Sequence, residues 1–119
     1  MRAELKRLHS PDADIYKFSP PAPNDFSILV QAMIGYVGGK GEEAFNFVVC
    51  SPQWLSRRCA ETDGPVFGVR MIIMNEYRYN ELESSIRELC TSTTGEAWEE
   101  IAQKLSRYGG WEFADYKGS

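Results

Sequence analysis

Between residues 26 and 34 an apolar side chain stands at every second position: Phe26, Ile28, Val30, Ala32 and Ile34. A period of two places them on one face of a strand, and Leu29, Gln31 and Met33 give the other face partial cover. Phe45, Phe47 and Val49 repeat the alternation. The run Gly35-Tyr36-Val37-Gly38-Gly39-Lys40-Gly41 lies between the two and predicts a flexible hairpin connection, where glycine supplies positive φ without steric cost. Residues 2–9 alternate more weakly, Ala3 and Leu5 against Glu4 and Lys6, which suits an edge strand. Pro20-Pro21-Ala22-Pro23-Asn24 is a stiff, extended connection that lacks ladder donors.

After residue 50 the period changes. Ser51-Pro52 opens a helix, because a serine side chain caps orphan N–H groups and proline is tolerated at the first helical position. Trp54, Leu55 and Cys59 are its expected buried side. Asp63-Gly64-Pro65 reads as a turn, and 69–75 as a strand with Val69, Met71 and Ile73 facing inward. Asn80 and Glu83 have capping-box spacing ahead of Leu82, Ile86 and Leu89 at helical period. In a last helix Trp98, Ile101, Ala102, Leu105 and Tyr108 form one stripe. Glu99, Glu100, Gln103, Lys104 and Arg107 form the opposite face, with Glu100 and Lys104 at ion-pair spacing. Gly109-Gly110 ends it. This order predicts an α+β fold: a small, largely antiparallel sheet with about three helices on one face.

The length, 119 residues, is that of one domain, since compact units run to about 100–150 residues. With 43% hydrophobic and 25% charged residues the chain is neither disordered, fibrous nor a coiled-coil rod. No apolar run approaches the roughly 20 residues of a membrane span, and Met1-Arg2-Ala3-Glu4-Leu5 carries no signal-peptide pattern. A cytoplasmic protein without membrane contact is expected. The net charge of −4 is unevenly placed. Residues 1–60 hold seven basic and six acidic side chains, residues 61–119 six and eleven. Nucleic-acid binding needs the opposite sign, so a basic protein is the better partner.

Candidate chemistry is sparse. Cys50, Cys59 and Cys90 are odd in number and widely spaced, which reads as reduced thiols acting as small core hydrophobes. His9 is the one histidine, so any Ser-His, Cys-His or two-His metal mechanism runs through it. Ser10-Pro11-Asp12 beside it reads as a strand end and turn. Gly39-Lys40 fails phosphate-loop spacing, which would need glycine at Ile34 and Ser or Thr at Gly41. No metal-ligand spacing is present, and neither a cofactor nor catalytic residues are expected. Acid–base work by the Glu pairs would need a pocket that separates their pKa values.

Several segments taken in order resemble a known family. They are His9-Ser10-Pro11-Asp12, Gln31-Ala32-Met33-Ile34-Gly35, and Gly41-Glu42-Glu43-Ala44-Phe45 leading to Val49-Cys50-Ser51-Pro52-Gln53-Trp54-Leu55. At the end come Gly95-Glu96-Ala97-Trp98-Glu99-Glu100, Lys104-Leu105-Ser106-Arg107-Tyr108-Gly109 and Trp111-Glu112-Phe113-Ala114-Asp115-Tyr116. Together they resemble the bacterial immunity protein 8 family. Asn46 and Ala114 stand where that pattern is acidic, and Gly110 where a polar residue is common. The resemblance implies an α+β protein encoded beside a polymorphic toxin, which sits in the producing cell's cytoplasm and neutralises its cognate toxin by binding. It implies no catalytic residues.

Tight inhibition calls for complementary charge and aromatic anchors. The expected partner-binding set is Glu96, Glu99, Glu100, Tyr108, Trp111, Glu112 and Asp115. The expected partner is a basic toxin domain, with nucleases among the candidates because they must hold phosphate. Other readings stand beside this one. Glu99 and Glu100 also suit a solvated helix face, and Trp111, Phe113 and Tyr116 a fold-back onto the core. The connections 17–24, 36–41 and 78–83 are rival contact surfaces. A small structural or regulatory module that self-associates, as a homodimer, through its sheet or its aromatic tail is the alternative function.

Overall fold

The computed structural model describes residues 1–114. Its elements are β1 (Ala3–His9), β2 (Ser27–Tyr36), β3 (Glu43–Cys50), α1 (Pro52–Thr62), β4 (Met71–Ile73), α2 (Tyr79–Thr91), α3 (Trp98–Leu105) and β5 (Gly110–Trp111). The α+β expectation holds. The five strands form one open sheet in the order β1-β2-β3-β4, and β5 joins the same edge of β3 ahead of β4. The sheet is mixed because β4 runs parallel to β3, whereas β1, β2 and β5 pair antiparallel.

The alternation read from β2 and β3 is realised. Ile28, Val30, Ala32, Ile34, Phe45, Phe47 and Val49 are all buried, and they meet Leu82 and Ile86 of α2 and Ile101, Ala102 and Leu105 of α3. β1 joins this core through Ala3, Leu5 and Leu8, a spacing that breaks strict alternation. A register shift between Leu5 and Arg7 absorbs the difference, because one extra residue reverses the phase of every later side chain. The Lys6 ammonium at that shift pairs with Glu4 and donates to the carbonyls of Tyr36 and Gly39. The glycine loop is therefore a hairpin connection organised by a lysine. Its carbonyls point at a cation, which is the wrong polarity for a phosphate cradle. Gly38 takes positive φ, and a Cβ on Gly35 would lie 2.1 Å from the Gly41 carbonyl oxygen.

Four local expectations are corrected. Trp54, Leu55 and Cys59 do not form a buried side: no residue of α1 is buried, Trp54 and Leu55 are half-exposed and Cys59 is exposed. α2 and α3 supply the helical side chains of the core, so α1 is held instead by polar ties at its start. The strand around 69–75 shrinks to Met71–Ile73 and its phase is opposite. Ile72 and Met74 pack on the core, while Val69 and Ile73 are exposed. Parallel pairing of Ile72 with Val49 sets that phase, which Met71-Ile72-Ile73-Met74, apolar on both faces, could not reveal. No capping box forms at Asn80. Helix α2 begins a residue earlier behind Arg78, and Glu83 pairs with Arg87 at 3.2 Å. Tyr108 likewise lies beyond the end of α3 and is 56% exposed.

Ser51 is the joint between sheet and helix. Its Oγ accepts from Trp54 N–H, as expected of a cap, and also from Phe26 N–H, while its own N–H donates to the Phe26 carbonyl. Farther along α1, Arg57 donates through Nε and Nη2 to both carboxylate oxygens of Asp25. That guanidinium holds Asp25 below the usual carboxylate range. The connection before β2 is fastened by Ile15, which is buried, and by Phe18, Phe26 and Tyr77, which meet edge-on. Tyr77 donates to the Ile15 carbonyl, and burial pushes its hydroxyl up to about 12.

Replacing Ser51 by alanine leaves two N–H groups unpaired at a fully buried site. The expected loss is about 2–3 kcal/mol, read as a lower denaturant midpoint; an unchanged midpoint contradicts the joint. The thiols divide by burial. Cys59 should react with a thiol reagent in the folded chain, whereas Cys50 and Cys90 should react only on unfolding. Burial raises both buried thiols, Cys90 to about 11. Rapid labelling of either in the native protein contradicts this packing.

Candidate functional site

Glu43 stands at the start of β3 on the face that carries Phe45, Phe47 and Val49. A carboxylate on the core side of a sheet requires partners, because an unpaired buried charge is costly. It has two. The indole Nε1 of Trp98 and that of Trp111 each donate to the same oxygen, Oε1, at 2.8 Å. Trp98 opens α3 and Trp111 closes β5, so one carboxylate ties the central strand to both ends of the C-terminal segment.

The rings pack as well as bond. Phe45 stacks on Trp111 with centroids 6.3 Å apart and meets Trp98 edge-on at the same distance. Tyr36 leans on Trp98, and Phe113 meets Trp111 edge-on. Offset and edge-to-face geometries of this kind add to the burial of the rings themselves. Above the cluster lies a recess of about 260 Å³ lined by Ile34, Gly35, Tyr36, Gly41, Glu43 and Trp98.

The expected site residues fall into two groups. Glu100, Trp111 and Glu112 have partners inside the chain. Glu100 accepts the Glu96 N–H at 2.7 Å ahead of α3, whose N-cap Ala97 has no capping side chain, and lies 3.8 Å from the Lys104 ammonium. Trp111 is held by Glu43. Glu112 accepts the Ala44 N–H and donates its own N–H to the Ala44 carbonyl, extending the β5 pairing by one residue. Glu96, Glu99 and Tyr108 are exposed around α3. Asp115 and Tyr116 lie outside the described residues. Gly109, behind Tyr108, admits no side chain, because a Cβ there would lie 2.6 Å from the Phe47 ring.

Glu43 is not among the residues expected from the sequence to form a site. Period two puts it in phase with Phe45, but nothing local says which of the three tryptophan N–H groups would reach it. Ser10 and Asp12 do form a turn. Ser10 Oγ accepts the Asp12 N–H, and the Asp12 carboxylate accepts the Leu29 N–H, both at 3.1 Å. Among the described residues no cluster of three or more His, Cys, Asp or Glu could hold a metal ion. Among them, too, no helix is long and apolar enough to cross a membrane.

An open mixed sheet, with β3, α3 and β5 tied together at one carboxylate, is the frame of a small α+β protein. The chain belongs to the immunity protein 8 family, whose model matches residues 3–116 of the 119. Membership implies a toxin as partner, and the family is generally non-catalytic. No curated protein and no solved structure matches the chain.

Glu43→Ala leaves two indole N–H groups without their acceptor. The expected cost is about 2–4 kcal/mol, with altered tryptophan fluorescence and near-ultraviolet circular dichroism. Glu43→Gln, which keeps an acceptor oxygen, should cost less. Equal, negligible effects of both would show that the carboxylate does not organise the cluster.

Proposed function

We propose that this chain neutralises the cognate toxin of a bacterial polymorphic, contact-dependent system by binding it in the cytoplasm of the producing cell, without catalysis. The observation that carries the reading is family membership across nearly the whole chain.

The docking surface we assign is the exposed surround of α3: Glu96, Glu99 and Tyr108, backed by Glu100, Trp111 and Glu112; Asp115, expected in the same set, lies outside the described residues. A carboxylate already committed to a backbone N–H, as in Glu100 and Glu112, holds the surface in shape. The exposed pair Glu96 and Glu99 supplies field, and Tyr108, 56% exposed, supplies an aromatic anchor of the kind that dominates tight interfaces. The fitting partner is basic. Toxins that cut nucleic acid must be basic where they hold phosphate, so a nuclease domain matches this surface.

Co-expression with the C-terminal toxin domain encoded next to this chain should restore growth and yield a co-purifying complex. Failure of both rejects the immunity reading. In the complex, Glu96→Lys with Glu99→Lys should slow association roughly tenfold or more and flatten its salt dependence. An unchanged on-rate moves the docking surface elsewhere while leaving the immunity reading intact.

A further inference from the structure

Among the described residues the outer edge of β4 pairs with no strand. The Arg70 carbonyl accepts from Val48 N–H, and Met74 N–H donates to the Cys50 carbonyl, each at 2.9 Å. Backbone groups alternate sides along a strand. Residues 70, 72 and 74 therefore face β3, while Met71 and Ile73 turn their N–H and C=O groups outward. Among the described residues no strand pairs with that side of β4, and those groups make no hydrogen bond. Bare edges are normally guarded by charge, proline or cover. Here the only charge from residue 65 to residue 75 is Arg70, and the flanking side chains are apolar and bare: Phe67 is 85% exposed, Val69 58% and Ile73 55%. Arg70 itself has φ of 57°, a left-handed turn that directs the chain into β4.

We propose that this edge takes a second copy of the chain: two β4 strands pair antiparallel about a two-fold axis at Ile72, joining two sheets into one. The edge is self-complementary under that operation. Met71 of each copy comes opposite Ile73 of the other, and both residues have outward groups, so each pair exchanges its hydrogen bonds. Charge agrees. The N-terminal end of β4 carries Arg70, whereas past its C-terminal end Glu76 and Glu81 outnumber Arg78. Antiparallel pairing sets the basic end of one copy against the acidic end of the other.

Shape agrees as well. Beside the C-terminal end lies an open groove of about 1060 Å³, largely polar, in which Ile72, Met74 and Leu82 stand among Asn24, Gln53 and Glu81. The same pairing brings the partner's N-terminal approach to β4, with its bare phenylalanine, alongside that groove. A three-residue strand pair alone falls short of the roughly 800 Å² per partner of a stable interface. Seating Phe67 against Ile72, Met74 and Leu82 in the groove adds contact area, and the dimer should be weak and concentration-dependent.

Sedimentation velocity on the full chain, from micromolar to near-millimolar concentration, tests this. The mass should rise from 13.5 kDa toward twice that value, with the Met71 and Ile73 amides gaining protection from hydrogen exchange in step. Phe67→Ser, at an exposed site, should leave the melting temperature unchanged and weaken the dimer roughly tenfold or more. Ile73→Pro removes an outward N–H without touching the β3 ladder and should do the same. A chain that stays monomeric throughout overturns the proposal. So does a dimer indifferent to both substitutions, or one whose Met71 and Ile73 amides stay unprotected. Protection of those amides by the toxin domain alone, with the free chain monomeric, assigns the edge to the toxin and equally overturns it.

Discussion

A single carboxylate oxygen shared by two indoles is the constraint around which this fold is arranged. Glu43 Oε1 fixes where α3 starts and where β5 lies, because Trp98 and Trp111 must both reach it. The C-terminal segment spans two different sides of β3: a helix over the core face, then a two-residue strand on the edge. Neither is long enough to hold position by its own hydrogen bonds, since short helices and isolated strand pairs are marginal in water. The clamp, and the rings of Phe45, Tyr36 and Phe113 around it, supply what length does not.

The same economy recurs at the other joints. Ser51 serves a strand and a helix with one hydroxyl, Lys6 gathers the carbonyls of the hairpin, and Glu112 completes the β5 pairing with a side chain. Ser51 and Glu112 lie within segments that resemble the family pattern. These side chains build the frame from inside, and the exposed groups around α3 are presented by it. Glu100, Trp111 and Glu112 have such structural partners inside the chain and also lie in the stretch expected to meet a partner.

The strands β2 and β3 and the inward faces of α2 and α3 were legible because burial writes a period of two or 3.6 into the sequence. Three features left no such trace. The register shift at Lys6 is a local accommodation, visible only once β1 is paired with β2. In β4 both faces are apolar, so alternation could not say which turned inward; pairing with Val49 decided it. Helix α1 carries Trp54, Leu55 and Cys59 on one side yet buries none of them, because the core was already filled from α2 and α3. Of the site, the acidic surround of α3 could be read directly. The clamp could not, since it joins residues 55 and 68 positions apart.

The most direct test of inhibition by binding is a titration of the purified toxin domain's activity with this chain. Activity should fall linearly to an end point at one chain per toxin, and toxin freed by unfolding the chain should be chemically unaltered and fully active. Inactivation by a small fraction of an equivalent, or a toxin recovered with a changed mass, would mean that the chain acts as an enzyme and would contradict the account.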